Sequence, residues 1–299
     1  MSEEVSEDIC NRFPFQLCGY DEDGSYISVV PVGKYDYRKV VENGEKKEFL
    51  RYVMKTSELA YELFKHKTTK DNFVTQAIVV MDYEGFSFRQ MTSPETMQYM
   101  KELMAIMVNN YPEILKAAVI INAPKIFELI YNLMKPMLTK ATLAKVQIYG
   151  SDSNAWKEAL WKIIPADQLP SQYGGANTTC NDYRFHMGLD VDPIVVTLPM
   201  KDMQTELVAA GQRFMVDIFI SNAGTTLSWN FKTEHYDIGF YVYLDDNIKE
   251  IVSCPRCDAH IHVQKGTLVT KEAGKYTLCF DNTYSKFRSK TLNYVTQMG

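Results

Sequence analysis

The sequence has 299 residues, of which 46% are hydrophobic and 23% charged, and its formal net charge is −5 at pH 7. This length allows one large or two ordinary globular domains, and the acidic balance argues against a general binder of nucleic acid. No apolar run approaches the roughly 20 residues needed to span a bilayer. Residues 1–12 are acidic and lack the apolar core of a signal peptide. We therefore expect a cytoplasmic protein with free thiols.

The first half of the chain alternates strand and helix patterns. The apolar residues of the strands are nearly continuous, whereas those of the helices recur on one face. Ser93 and Pro94 supply an N-cap and a first-turn proline for the second long helix. Such alternation predicts an α/β domain with a largely parallel sheet covered by helices. In chain order we expect strands at 25–33, 76–85, 117–122 and 146–149, and helices at 46–66, 94–110 and 124–138.

The second half changes character after a glycine-rich polar stretch at 173–180, which is typical of a linker. From about residue 203 onward, short runs of alternating apolar residues are separated by turn signals. This pattern predicts an antiparallel β-sandwich. The inward-facing sets are Phe214, Val216, Ile218 and Ile220; Leu227, Trp229 and Phe231; Ile238, Phe240 and Val242; and Tyr276, Leu278 and Phe280.

Enzyme and metal motifs are weak. The chain has no nucleophile elbow, dinucleotide-binding fingerprint or P-loop, and its five histidines lie away from the apolar strands of the first half. The segment 254–262 (CPRCDAHIH) contains four side chains able to ligate zinc, but it lacks the long spacer of a zinc finger. A turn with free thiols is the favoured interpretation of its Cys-Pro-Arg-Cys segment. The polar turn 21–24 lacks the later ligands of a calcium loop. We therefore expect no catalytic residues, no cofactor and no metal site.

One long stretch, 111–150 continued by 163–175, resembles the core of a CRAL-TRIO lipid-binding domain. This family includes phosphatidylinositol-transfer proteins and the tocopherol- and retinal-binding proteins. The resemblance implies that residues 1–175 form this lipid-binding domain. The motifs that carry it are Tyr111-Pro112-Glu113, Asn122-Ala123-Pro124, Lys135-Pro136, Lys145, Leu169-Pro170 and Gly174-Gly175.

The second half resembles a GOLD domain. The combination of the two domains is similar to the tocopherol-associated group of lipid-transfer proteins, which normally begin with a small helical domain that this chain would lack. We expect a linker over 176–202 and an all-β GOLD sandwich over 203–299. The matching elements are Trp229-Asn230-Phe231, Asp237-Ile238-Gly239-Phe240 and Asp281-Asn282-Thr283-Tyr284-Ser285.

The resemblance implies an apolar cavity closed by a mobile gate helix, 124–138. Removing about sixteen methylenes from a bilayer costs roughly 13 kcal/mol, which only another apolar environment can return. Adaptable methionine side chains suit such a wall. An ordinary packed core would show the same pattern. The candidate lining and gate residues are Val79, Met100, Met104, Met107, Ile120, Ile126, Phe127, Ile130, Leu133, Met134, Met137 and Leu138.

The resemblance also implies a headgroup site. Glu113, Thr142 and Lys145 match the glutamate, threonine and lysine that hold the inositol phosphate in phosphatidylinositol-binding members. A lysine beside a buried strand needs an anionic partner, so a Glu113–Lys145 ion pair without a ligand is the alternative. At the positions that contact phosphatidylcholine, Ala77 and Val79 cannot form side-chain hydrogen bonds. Phosphatidylinositol, tocopherol and a squalene-like lipid remain open as ligands.

We therefore predict a cytosolic lipid carrier that takes up one hydrophobic ligand, contacts membranes transiently and delivers the ligand between membranes or to lipid enzymes. It would not be an enzyme or bind nucleic acid. The alternative is a lipid-regulated adaptor whose GOLD domain recruits a protein or membrane partner. Basic residues over 265–290 would suit an anionic surface, although a solvated face would show the same composition. These residues are Lys265, Lys271, Lys275, Lys286, Arg288 and Lys290.

Overall fold

The computed structural model describes residues 5–111, 113–178, 198–245 and 249–299. The described residues form two compact units, the first ending at Ile163 and the second beginning at Ile164. Within these ranges, none of the helices has the length and apolar character to cross a bilayer.

The first unit is built on a five-stranded mixed sheet. Its strands lie side by side in chain order, with the first pair antiparallel and the following three pairs parallel. The predicted α/β fold is confirmed, and the antiparallel edge strand was missed. The strands are β1 (Gln16–Tyr20), β2 (Tyr26–Val30), β3 (Ala77–Asp82), β4 (Leu115–Ile121) and β5 (Val146–Ile148).

Helices cover the sheet of the first unit. The longest, α3, follows a short helix that begins after Asp36, whose carboxylate accepts a hydrogen bond from the backbone N–H of Lys39 at 3.0 Å. The start of α4 was predicted correctly, because the Ser93 hydroxyl accepts from the N–H of Thr96 at 3.2 Å. The helices are α1 (Glu7–Arg12), α2 (Tyr37–Glu42), α3 (Lys46–Lys67), α4 (Pro94–Asn110), α5 (Phe127–Met134), α6 (Lys140–Ala144) and α7 (Ser153–Trp161).

The predicted gate helix is shorter than its apolar pattern suggested. The prediction of a helix over 124–138 was wrong, since α5 covers only Phe127–Met134 and a 3-10 turn, Lys135–Met137, follows it. Pro136 explains the end of the α-helix because it has no N–H to donate and its ring clashes with the preceding turn.

The second unit contains two four-stranded antiparallel sheets, in agreement with the predicted β-sandwich. One has the order β10-β9-β12-β7 and the other β11-β8-β13-β6. Large side chains from both sheets form the core; the rings of Phe231 and Phe240, for example, have centroids 4.6 Å apart. The strands are β6 (Gln204–Val208), β7 (Arg213–Ile220), β8 (Thr226–Thr233), β9 (Ile238–Leu244), β10 (Lys249–Cys257), β11 (Gln264–Val269), β12 (Gly274–Asp281) and β13 (Lys290–Met298).

The segment 164–178 belongs to this second unit and packs on its sheet. The indole N–H of Trp229 donates to the Thr178 hydroxyl at 2.7 Å, and the Gln264 amide donates to the Gly175 carbonyl at 3.2 Å. Most of the predicted linker, residues 179–197, lies outside the described residues. The predicted domain boundaries at 175 and 202 therefore stay predictions.

Candidate functional site

The first unit contains an apolar cavity of about 430 Å³ that is partly open to solvent. One face of the sheet forms its floor, through residues such as Ala77, Val79 and Met81, which alternate along β3 with side chains on the opposite face. Helices α3, α4 and α5 supply the rest of the wall. The volume lies within the range of about 300–1,000 Å³ that is usual for sites that bind small molecules.

Half of the apolar residues predicted to form the pocket and gate line this cavity. Helix α4 contributes three of these six residues, all methionines, because residues three or four positions apart share a helix face. The predicted residues that line the cavity are Val79, Met100, Met104, Met107, Ile130 and Met134.

The other predicted residues lie next to the cavity wall rather than on it. Ile120, Phe127, Leu133 and Met137 pack in the same apolar cluster as Met134. Ile126 and Leu138 are half-buried and flank α5 and its 3-10 turn. These positions support the wall, and their predicted role in gating stays a prediction.

Helix α3 and four tyrosines outside the strands also line the cavity, and sequence reasoning missed their contribution. Val53, Leu59, Ala60 and Leu63 of α3 form part of the wall. The apolar face of α3 was visible in the sequence, but nothing in its periodicity distinguishes a cavity wall from a packed core. The aromatic residues come from α2, α3 and the segments following β2 and β3; they are Tyr35, Tyr37, Tyr52 and Tyr83.

The four tyrosine hydroxyls differ in their hydrogen bonds. Those of Tyr35 and Tyr52 donate to the backbone carbonyls of Pro14 and Phe13. By contrast, the hydroxyls of Tyr37 and Tyr83 have no hydrogen-bond partner among the residues that the structure describes. Burial raises the pKa of both groups, so they are neutral donors at physiological pH. Each phenol can therefore offer a hydrogen bond to a molecule in the cavity.

Two of the three predicted headgroup residues meet at the edge of the sheet. The ammonium of Lys145 lies 3.4 Å from the carboxylate of Glu113, 32 positions earlier in the chain. Glu113 adopts a left-handed backbone conformation with φ 59°, which is uncommon outside glycine. Its side chain is 71% exposed and that of Lys145 25%, so the pair is open to solvent on the carboxylate side.

Thr142 lies one turn before Lys145 on α6. Its hydroxyl is 2.9 Å from that of Thr139, the N-cap of the same helix. None of the three headgroup candidates lines the cavity. The expectation that Lys145 precedes a buried strand was wrong: β5 is an edge strand, and its Ile148 is 42% exposed.

The cysteine-rich segment of the second unit is a strand end rather than the predicted turn. Cys254 and Cys257 are both buried at the end of β10, where the pairing with β9 is irregular. His260 and His262 lie in the turn that follows. Within the described ranges, no three histidine, cysteine or acidic residues are grouped so as to hold a metal ion.

The first unit thus combines a helix-covered sheet with an apolar cavity. The family model described as the CRAL/TRIO domain matches residues 11–175, more than half of the chain. The chain therefore belongs to the CRAL/TRIO family, and the predicted family resemblance is confirmed for this part of the sequence.

Several curated proteins are similar to the chain. Patellin-6 from Arabidopsis thaliana is 24% identical over 90% of this chain and 62% of its own length. Protein ctg-1 from Caenorhabditis elegans is 24% identical over 93% of this chain and 78% of its own length. The phosphatidylinositol/phosphatidylcholine transfer protein SFH4 from Arabidopsis thaliana is 26% identical over 62% of this chain and 30% of its own length.

Among solved structures, that of Sfh5 matches with a TM-score of 0.43 and 21% identity, covering 58% of this chain and 57% of the Sfh5 chain. The chain thus spans more than half, but not the whole, of Sfh5 and of the relatives Patellin-6 and ctg-1.

Proposed function

We propose that this protein is a cytosolic lipid carrier that holds one hydrophobic ligand in the cavity of its first unit and delivers it between membranes. The observation that carries the proposal is the cavity itself, which is large, apolar and covered by helices. A chain of about sixteen methylenes gains roughly 13 kcal/mol on leaving water for such a lining, which offsets its loss from a bilayer.

The two unpartnered tyrosine hydroxyls favour a ligand that carries oxygen. Tyr37 and Tyr83 can each donate a hydrogen bond to an ester, hydroxyl or ether oxygen inside the cavity. A pure hydrocarbon such as squalene would leave both unsatisfied. We therefore place phosphatidylinositol and tocopherol ahead of a squalene-like ligand.

The Glu113–Lys145 ion pair is the arrangement given above as the alternative without a ligand, so the case for phosphatidylinositol rests on the chemistry of the three residues. The ammonium of Lys145 can neutralise a phosphate, while Glu113 and Thr142 can bind inositol hydroxyls. The relative SFH4 is by name a transfer protein for phosphatidylinositol and phosphatidylcholine. Phosphatidylcholine is less well supported here, because Ala77 and Val79 on the cavity floor offer no side-chain hydrogen bond.

We further propose that the β-sandwich is a GOLD domain, which leaves the lipid-regulated adaptor as the alternative function. The motif residues that carry this resemblance include Trp229, Phe231 and Phe240, and all three are fully buried in the sandwich core. In an adaptor the bound lipid would be a structural component rather than a cargo.

Organic extraction of the purified protein followed by lipid mass spectrometry tests the proposal. A carrier should release one lipid molecule per chain and pass it to acceptor vesicles. The variant Met104→Trp should reduce the bound lipid several-fold, because the larger ring fills space that the methionine now borders.

The matched control is Asn109→Trp, which adds the same ring to an exposed position of α4. Its lipid content should equal that of the original protein. Purified protein without stoichiometric lipid, and unable to take it up from vesicles, would contradict the carrier; bound lipid that never exchanges would favour the adaptor.

A further inference from the structure

The loop between β12 and β13, residues 282–289, holds an aromatic side chain in solvent. Phe287 is 93% exposed, and Lys286 and Arg288 beside it are exposed as well. An exposed phenyl ring forgoes the stabilisation that burial would bring. The loop therefore presents an apolar group between two cations.

Hydrogen bonds hold this loop in one conformation. The side-chain amide of Asn282, which is fully buried, donates to the carbonyls of Val208 and Ala209, both at 3.1 Å, and of Arg288 at 2.9 Å. The Ser285 hydroxyl donates to the Arg288 carbonyl at 3.0 Å and accepts from its N–H at 3.2 Å. The exposure of Phe287 is therefore a product of the fold and not of a loose chain.

Two cation–π pairs lie beside the loop. The guanidinium of Arg288 is 4.4 Å from the ring centre of Tyr236, and that of Arg256 is 4.2 Å from the ring centre of Tyr284. Both rings keep about two-fifths of their surface in solvent. We call this end of the sandwich the Phe287 surface; it consists of Tyr236, Arg256, Tyr284, Lys286, Phe287 and Arg288.

The charge of the surroundings is positive although the whole chain is acidic. Asp237 is neutralised by an ion pair with Arg256 and by the ammonium of Lys290 at 3.6 Å. Counting these three with Lys286, Arg288, Glu234 and Asp258, whose charge acts on Arg256, gives four cations against three carboxylates, a net charge of +1 on a chain of −5.

The basic residues that the sequence places over 265–290 differ in their surroundings. Lys290 is only 3% exposed and donates to the Tyr284 hydroxyl at 2.6 Å, so it supports the surface from within. Lys275 is paired with Asp217 at 3.1 Å. The run as a whole is therefore not one basic face.

We propose that the Phe287 surface binds the anionic face of a membrane. Phe287 enters the interfacial region, where aromatic side chains are favoured, while Lys286 and Arg288 contact acidic headgroups. This binding is independent of the lipid in the cavity, so a protein with an empty cavity would still attach to vesicles through the loop.

Vesicle flotation of the full chain tests the proposal, with vesicles of phosphatidylcholine alone and of phosphatidylcholine mixed with phosphatidylserine. Binding should require phosphatidylserine, and Phe287→Ser should weaken it about tenfold. The double variant K286A/R288A should weaken it about fivefold for each charge removed. Since all three side chains are exposed, the thermal stability of the variants should match that of the original protein.

Two control variants are matched to these changes. Phe219→Ser removes another exposed phenylalanine of the sandwich, 72% in solvent, and K201A/K271A removes two lysines elsewhere on the same unit. Both should bind vesicles as well as the original chain. Equal losses for Phe287→Ser and Phe219→Ser, or no loss for Phe287→Ser, would overturn the proposal.

A second measurement reports insertion directly. In Phe287→Trp, indole fluorescence should shift to shorter wavelength on addition of phosphatidylserine vesicles, beyond any change in the original chain. An unchanged spectrum would show that the ring stays in water and that a protein partner must be sought instead. The lipid extracted from Phe287→Ser should equal that extracted from the original protein. A loss of vesicle binding in this variant is therefore distinguishable from a loss of the carrier function.

Discussion

At the scale of single residues, we propose that Lys145 is the cation that binds a headgroup phosphate. It is three-quarters buried, its ammonium is 3.4 Å from Glu113, and it follows a short helix at the edge of the sheet. The carboxylate partner is mostly exposed and can move aside. An incoming phosphate could therefore replace or share the contact at little cost.

Replacing Lys145 with alanine should weaken uptake of phosphatidylinositol about tenfold while leaving tocopherol uptake unchanged. The lost charge-assisted hydrogen bond acts only on a phosphate. Binding assays with fluorescent analogues of both lipids measure the difference. Lys140→Ala, at an exposed position of the same helix, is the control. Equal loss of both lipids in Lys145→Ala would refute the headgroup assignment.

Asp281 at the end of β12 should make the stability of the sandwich depend on pH. Burial raises its pKa, but hydrogen bonds from Thr283 and Arg213 outweigh burial, and the net pKa is lowered. Because the folded pKa is below the unfolded value of about 3.9, the stabilisation is complete above that pH and is lost as pH falls through the folded pKa.

Urea unfolding between roughly pH 5 and pH 2 should therefore show a smaller acid-induced loss of stability in Asp281→Asn than in the original chain. The variant will also be less stable at neutral pH because it lacks the ion pair with Arg213. Asp202→Asn, an exposed change in the same unit, should leave the pH profile unchanged. Parallel profiles for the original chain and Asp281→Asn would refute the assignment.

At the scale of elements, we propose that α5 acts as a short lid over the cavity. Ile130 and Met134 face the cavity, whereas Leu129 on the other side is 57% exposed. Pro136 ends the α-helix after two turns, so α5 can rotate without moving a longer helix. Because α5 is apolar on both sides, it can leave its contacts with the cavity and bury its apolar side chains in the interfacial region of a membrane.

Leu129→Ser should slow lipid transfer between vesicles about fivefold without changing the amount of lipid bound. The substitution removes apolar surface that only an opened, membrane-bound α5 would bury. Transfer of a fluorescent lipid, measured beside lipid content, separates the two effects. Asn132→Ser, exposed on the same helix, should transfer at the original rate. A simultaneous fall in bound lipid would indicate a structural role for Leu129.

The elements also show where sequence patterns were sufficient. The start of α4 follows from Ser93 and Pro94, which act within one turn and so are visible locally. The end of α5 could not be read from the apolar periodicity, which continues through Met137 and Leu138 although the backbone changes to a 3-10 turn. Side-chain pattern and backbone hydrogen bonding are separate signals, and at Pro136 they disagree.

At the scale of the whole molecule, the alternation of strands and helices predicted the first unit, and the period of two predicted the sandwich. A cavity could not be predicted from these patterns, because Met104 would fit the same helical periodicity in a packed core and in a cavity wall. The meeting of Glu113 with Lys145 came from family resemblance alone, because the contact joins distant residues through a left-handed backbone position.

The docking of residues 164–178 on the sandwich has a consequence for how such proteins could be divided or recombined. Leu169 and Tyr173 are buried within the second unit, and Thr178 satisfies the indole of Trp229, yet the family match extends to residue 175. Residues 164–175, which the family match groups with the first half of the chain, are thus required to complete the hydrophobic core of the second unit. A β-sandwich transferred into another protein would therefore fold stably only with residues 164–178 attached. A fragment that begins at residue 203 would expose apolar surface and be prone to aggregation.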